Sequence, residues 1–278
     1  MLDILQYEFM QKAFAVGLLI AAITPCIGVV VVLKRLSMMG DALSHTSLAG
    51  VTAGLVSGLN PILGAVVFAV ASALGIEQVR KAFPRYSEIA IAVIMSTGIG
   101  LAGVLSGFVK NSASLNSFLF GSIVAITDFE LFMVIVLSIV VILSVIVLYK
   151  ELFYCTFDEE SARLAGVPVK AVNFIFTLLT AITISISVRT VGTLIISSLL
   201  VLPVASAMQL AKSYKQTVIL SVLLSVFFTF SGLYISYYAN LKPGGTIVLI
   251  GVIALISILA FKKISSRLRM KKTYIKSA

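Results

Sequence analysis

An aspartate and a histidine four residues apart, Asp41 and His45, stand inside the stretch RLSMMGDALSHTSLAG (residues 35–50), and that histidine is the only one in the 278-residue chain. Four-residue spacing puts both side chains on one face of a helix, about one turn apart. A carboxylate oxygen and an imidazole nitrogen together make a donor pair suited to manganese, zinc or iron, whereas calcium or magnesium would favour oxygen throughout. The same two groups could relay protons. They could also serve structure alone, with Asp41 accepting hydrogen bonds from Ser44 and His45 or capping a helix start near Gly40. Two ligands do not close a tetrahedral or octahedral shell, so a second copy, water or backbone carbonyls must complete one. An incomplete shell suits passage, where release has to be easy, better than storage.

The surroundings of the pair are apolar. The chain is 60% hydrophobic and 12% charged, with a mean hydropathy of +1.13, a composition outside the range of soluble globular domains. Hydrophobic runs at residues 12–33, 40–59, 61–80, 87–109, 129–149, 170–188, 191–210, 217–238 and 246–262 predict nine membrane helices. The number falls to eight if 191–210 is broken or only partly inserted. The expected fold is therefore all-α, a polytopic transmembrane bundle, because the short alternating segments of a membrane barrel are absent. Residues 1–262 read as one membrane domain and 263–278 as a basic tail. The first run follows a segment carrying Asp3 and Glu8, with no positive n-region, so a retained helix is expected there. Asn60-Pro61 suits a tight turn between the second and third spans. Counting inward from Arg35 at roughly 1.5 Å per residue places His45 about 15 Å deep, near the middle of a hydrocarbon core about 30 Å thick. A carboxylate at that depth is costly unless paired or hydrated.

With the C-terminus on the cytoplasmic side, all of the 21 lysines and arginines except Lys12, Lys110, Arg189 and Lys242 fall on that side. This is the positive-inside pattern. The net charge of +10 is then accounted for by topology. The basic tail is read as touching anionic membrane lipid, and no nucleic-acid partner is implied. Cys26 and Cys155 are far apart and suggest neither a disulfide framework nor a thiolate metal site.

Two segments on the basic side are more than short turns. Tyr149 to Lys170 mixes acids with a small amphipathic stretch stopped by Gly166 and Pro168; Leu202 to Gln216 contains Pro203 and ends in Lys212 and Lys215. Both read equally as connectors or as surfaces for a docking partner. Gly50, Gly54 and Gly58 recur four apart, as do Gly103 and Gly107, a spacing that lets membrane helices approach closely, within the bundle or across a dimer face. Arg189, near the outer end of a span, is a candidate outer gate for cations, with a surface anchor as the plainer role.

Three motifs, in order along nearly the whole chain, resemble the permease subunits of ABC-type manganese, zinc and iron uptake systems: MGDALSHTSLAG (39–50), FDEESARLAGVP (157–168) and GTLIISSLLVLPVASA (192–207). Members of that family often carry proline near the end of the first motif, where this chain has Ala49. The resemblance implies a permease homodimer bound to two cytoplasmic ABC ATPase subunits and fed by an extracytoplasmic metal-binding protein, in a bacterial-type plasma membrane. It implies that Asp41 and His45 contact the transported metal. It also implies that Pro203, Ala205, Ser206, Gln209 and Lys212 couple to the ATPase, with Asp158, Glu159, Glu160, Arg163 and Gly166 forming a second cytoplasmic contact.

No G-x-x-x-x-G-K-[ST] sequence occurs, so ATP hydrolysis is expected on a separate subunit and no permanent cofactor on this one. The expected function is the membrane path of an ATP-driven importer of manganese, zinc or iron, a transporter and not an enzyme. A secondary metal/proton transporter is the alternative, although no second buried acid of similar depth accompanies Asp41. A non-transporting structural membrane subunit would need neither Asp41 nor His45.

Overall fold

The computed structural model describes residues 6–83, 86–109, 112–121 and 126–277. Arg85 and Lys110, two of the residues used to orient the chain, lie outside them. The described residues form twelve helices: α1 (Glu8–Leu33), α2 (Met38–Ser57), α3 (Pro61–Ala82), α4 (Ser87–Ser106), α5 (Ser112–Phe120), α6 (Asp128–Val147), α7 (Tyr149–Phe157), α8 (Glu159–Leu164), α9 (Val169–Val191), α10 (Thr193–Leu210), α11 (Tyr214–Ala239) and α12 (Pro243–Ser277). Seven of them are long and apolar enough to cross a membrane: α1, α3, α4, α6, α9, α11 and α12.

The two predicted spans outside that set, α2 and α10, differ from the rest for a physical reason. Helix α2 has 20 residues, about 30 Å at 1.5 Å per residue, but it carries Asp41, His45 and a series of serines and threonines. It packs on α3 and α4, with α9 and α10 also against it, so its neighbours are protein and its surface need not be apolar. Helix α10 packs among α1, α2, α11 and α12 and contains Pro203.

Local chemistry sets the helix ends. Gly58 closes α2 in the left-handed region at φ +74° and gives its N–H to the Gly54 carbonyl. Two residues on, the Asn60 side chain accepts from the Ile62 N–H at 2.9 Å while Pro61 opens α3, the turn expected from Asn60-Pro61. Thr127 and Glu130 form a reciprocal capping box at the start of α6. Between α1 and α2, Arg35 takes φ +60°, uncommon for a residue with a Cβ, and reverses the chain within four residues.

Three features go beyond the sequence expectation. The segment between the fourth and fifth spans contains the short helix α5. Leu202 to Gln216 is mostly helix, since α10 runs to Leu210 and α11 starts at Tyr214, leaving a three-residue turn. Helix α12 continues unbroken from Pro243 to Ser277, with no backbone break at residue 263.

Glycines set the closest approaches. A Cβ on Gly50 would stand 2.1 Å from the Gly64 carbonyl oxygen, and one on Gly64 would stand 2.3 Å from that of Gly50. Below them, a Cβ on Gly54 would lie 2.9 Å from the Pro61 Cα. Helices α2 and α3 therefore meet backbone to backbone. Gly58 does not belong to that seam: open space surrounds it, and its role is the helix cap. Gly103 also faces open space, and Gly107 lies near only the Val104 carbonyl of its own helix.

Candidate functional site

From Met39 to Thr52 every residue of α2 is buried except Asp41 and His45. The sheath of neighbours opens along one stripe, and the acid and the imidazole both lie in it. Helix α4 closes one flank: a Cβ on Gly98 would come within 2.8 Å of the Thr46 amide nitrogen, so the absent side chain lets α4 lie flush beside His45. Helix α10 closes the other, with the Ser197 Cβ 3.6 Å from the Cβ position of Gly40. Gly98 was not distinguishable in the sequence, and Ser197 stood out only as part of the 192–207 motif, because their contacts arise only when distant helices meet.

The capping arrangement considered for Asp41 is not found. Helix α2 begins at Met38 after Ser37, and Ser44 Oγ donates to the Asp41 backbone carbonyl at 2.9 Å, not to its carboxylate. Within the described residues the Asp41 carboxylate and the His45 ring make no hydrogen bond. The turn between α1 and α2 also consumes residues without advancing along the helix axis. His45 therefore stands about 10 Å beyond Met38 along the helix. Among the described residues no group of three or more His, Cys, Asp or Glu gathers around a common point. The stripe thus offers one oxygen donor and one nitrogen donor, half-exposed, uncommitted and open on one side.

At the end of the bundle nearest Asp41, a polar cluster ties the second motif to three long helices. Lys34 Nζ donates to Glu159 Oε1 and to Asn173 Oδ1, both at 2.9 Å, and Asn173 Nδ2 donates to the same Glu159 oxygen at 3.0 Å. Arg80 stands 3.9 Å from that oxygen while pairing with Glu77 at 2.8 Å. Glu159 on α8 is thereby fastened to α1, α3 and α9, beside the turn that leads into α2. Burial works to raise the Glu159 carboxyl, but the Lys34 hydrogen bond and charge, Asn173 and Arg80 outweigh it and hold it below the usual carboxylate range. Its contribution is present above the ordinary glutamate pKa of about 4.3 and is lost as pH falls through the lower folded value. The difference in melting temperature between the native chain and Glu159→Gln should hold steady from pH 8 to pH 5. It should shrink below about pH 4, as read by thermal unfolding in detergent.

The other residues expected at this end divide by exposure. Asp158, Glu160, Arg163 and Gly166 are exposed, with Asp158 capping α8 through bonds from the Glu160 and Ser161 amides. Pro203 and Ser206 are buried inside the bundle. Of that set, Ala205, Gln209 and Lys212 keep accessible surface. Gln209 already accepts from Lys262 Nζ at 3.3 Å.

At the opposite end Arg189 is a strut. Its Nε donates to Glu130 Oε1 at 2.8 Å, one Nη donates to Ser117 Oγ at 2.9 Å, and the guanidinium lies 4.7 Å from the centre of the Phe118 ring. Thr193 Oγ1 adds a bond to the Phe118 carbonyl at 2.9 Å, and Lys242 Nζ sits 3.7 Å over Phe120. Helix α5 is thus pinned over the α9–α10 junction, where Gly192 at φ +100° comes against Gly121. Arg189→Ala should free it, raising amide hydrogen exchange across Leu115–Phe120 at least tenfold while leaving α11 unchanged.

The described residues thus form a multi-helix bundle in which one polar helix is sheathed by its neighbours and leaves two donor side chains partly open. The chain belongs to the ABC 3 transport family, whose model matches residues 6–262. It is 36% identical over 262 residues to a "probable metal transport system membrane protein" of Treponema pallidum, covering 94% of this chain and 98% of that protein. It is 34% identical over 251 residues to the "manganese transport system membrane protein MntC" of Listeria monocytogenes, covering 90% and 89%. The solved structure of "PsaBC from Streptococcus pneumoniae in complex with Fab" superposes with a TM-score of 0.83 at 29% identity, covering 92% of this chain and 93% of that one.

Proposed function

We propose that this chain forms the translocation path of an ATP-driven importer of divalent transition metal ions, with manganese the favoured cargo and zinc and iron the other candidates. The observation that carries this reading is the open stripe of α2: between Met39 and Thr52 the only side chains not buried are a carboxylate and an imidazole, neither of which makes a hydrogen bond within the described residues. A transition-metal ion supplies the charge and coordination that both groups lack. The names of the Treponema and Listeria relatives support metal, and manganese in the second case. The shell is completed by a second permease copy facing the stripe, or by water and carbonyls.

The basic end, with Lys34, Arg80, Lys150, Lys212 and Lys215, is read as cytoplasmic, which also puts the C-terminus of α12 inside a bacterial-type membrane. Cytoplasmic ABC ATPase subunits dock there on Ala205, Gln209, Lys212 and the exposed face of α8, and hydrolyse ATP. An extracytoplasmic metal-binding protein delivers cargo at the Arg189 end, where α5 is held as an outer gate. Helix α10 joins the two activities mechanically. It runs from the docking turn to Gly192 and presses on α1, where a Cβ on Gly28 would lie 2.2 Å from the Leu200 carbonyl, and on α2 beside Gly40.

The test is elemental mass spectrometry of cells lacking this chain, restored with it, and supplied with manganese, zinc or iron, together with affinity purification for an associated ATPase. Restored accumulation of one metal together with ATPase co-purification supports the reading. Accumulation without any ATPase points to a secondary metal/proton transporter, and no accumulation of any metal overturns transport.

A further inference from the structure

On the side of α1 remote from α2, helices α6 and α11 diverge and leave a groove of about 680 Å³ that reaches Cys26, within the size range of ligand clefts. Its walls are apolar, with Ile142, Val145 and Ile146 on α6 and Val218 and Ile219 on α11, and its mouth carries Lys150, Glu151 and Lys215. We propose that this groove is a binding site for one anionic phospholipid of the phosphatidylglycerol type, acyl chain in the groove and headgroup at the mouth.

Depth is the first argument. Lys150 follows the end of α6 by three residues, and Lys215 is the second residue of α11; Val218 and Ile219 lie about one turn, roughly 5 Å, further in. An aromatic cluster reaches the mouth through Tyr149: Tyr149 and Tyr214 are 5.6 Å apart, Phe153 lies 5.3 Å from Tyr214, and Phe157 lies 6.3 Å from it. Such rings gather at the headgroup level of a membrane. The lysines therefore stand where phosphates are, and the apolar walls where chains are.

Charge is the second. Neither Lys150 nor Lys215 forms an ion pair within the described residues. Glu151 lines the same mouth, and its Oε2 is buried without a hydrogen-bond partner. Two lysines and one carboxylate leave a single positive charge, which a monoanionic phosphodiester neutralises. A zwitterionic choline lipid would leave the charge uncompensated. Position is the third: α6 and α11 pack on α1, whereas α2 packs on α3, α4, α9 and α10. A second copy completing the stripe of α2 would leave this groove open to the bilayer.

Native mass spectrometry of the purified full-length chain, exchanged into detergent with phosphatidylglycerol, phosphatidylethanolamine or phosphatidylcholine, tests the site. The native chain should retain one phosphatidylglycerol at least tenfold more often than either other lipid. Lys150→Ala with Lys215→Ala should abolish that preference, the paired arginine substitutions should keep it, and Lys170→Ala, an exposed lysine outside the groove, should leave it unchanged. Equal retention of all three lipids by the native chain overturns the proposal, because the groove would then hold annular lipid without recognition. A preference for phosphatidylethanolamine also overturns it. So does a phosphatidylglycerol preference that survives the double alanine variant, provided each variant elutes as a single folded species.

Discussion

Cells restored with His45→Ala at native membrane abundance should accumulate the cargo metal at least tenfold less than cells restored with the native chain. Losing only a supporting partner of a metal ligand costs about 10–100-fold, and here a proposed ligand itself is removed. The position makes the result interpretable. His45 lies on the open stripe, hydrogen-bonds nothing within the described residues, and fills no closed core, so alanine leaves no sealed cavity and strands no buried partner. Thermal stability should therefore be close to native while uptake falls. Asp41→Asn should behave in the same way, keeping the shape of the side chain and losing its charge. Native accumulation by both variants would return the pair to a structural role.

The second large effect concerns the seam that holds α2 in place. Gly50→Leu drives a side chain into the Gly64 carbonyl, whose oxygen and carbon stand 2.1 and 2.6 Å from the Cβ position, with the Ala65 amide nitrogen at 2.9 Å. These are backbone atoms and cannot rotate aside. The cost should exceed the roughly 1–3 kcal/mol of ordinary overpacking. At about 2–4 °C per kcal/mol for a domain of this size, the melting temperature should drop by some 10 °C. Gly103→Leu is the matched control, because its Cβ meets nothing within 4 Å. The chain has no tryptophan, so a fluorescent fusion followed by size-exclusion chromatography after heating is the suitable readout. Indistinguishable melting of the two variants would mean that α2 and α3 can separate without penalty.

These two outcomes also mark what could be read before the structure. Asp41 and His45 were legible because their chemistry is rare in an apolar chain and their spacing is local. The long spans were legible for a related reason: lipid accepts only continuous apolar surface, so α1, α6 and α11 declare themselves. Helix α2 was read as one more apolar run, 40–59, and its sheath of protein neighbours, which relaxes the need for apolarity, was not visible. Contacts between distant segments left no local trace. Lys34 and Glu159 are 125 residues apart, Arg189 and Glu130 are 59 apart, and each residue alone reads as a topology marker or a docking acid. Spacing by fours was a partial guide to packing. It selected Gly50 and Gly54, which lie in the seam, together with Gly58, Gly103 and Gly107, which do not; it passed over Gly98, whose partner is Thr46 on another helix.

The solitary imidazole on an open stripe has a spectroscopic corollary. Isotope labelling of histidine alone would give one side-chain resonance set from all 278 residues, free of overlap and sited where the cargo is proposed to pass. A diamagnetic ion such as zinc would move that signal, and paramagnetic manganese would broaden it beyond detection. Occupancy could then be followed in the intact permease without a reporter, provided that purification avoids a polyhistidine handle that would crowd the spectrum and compete for the metal.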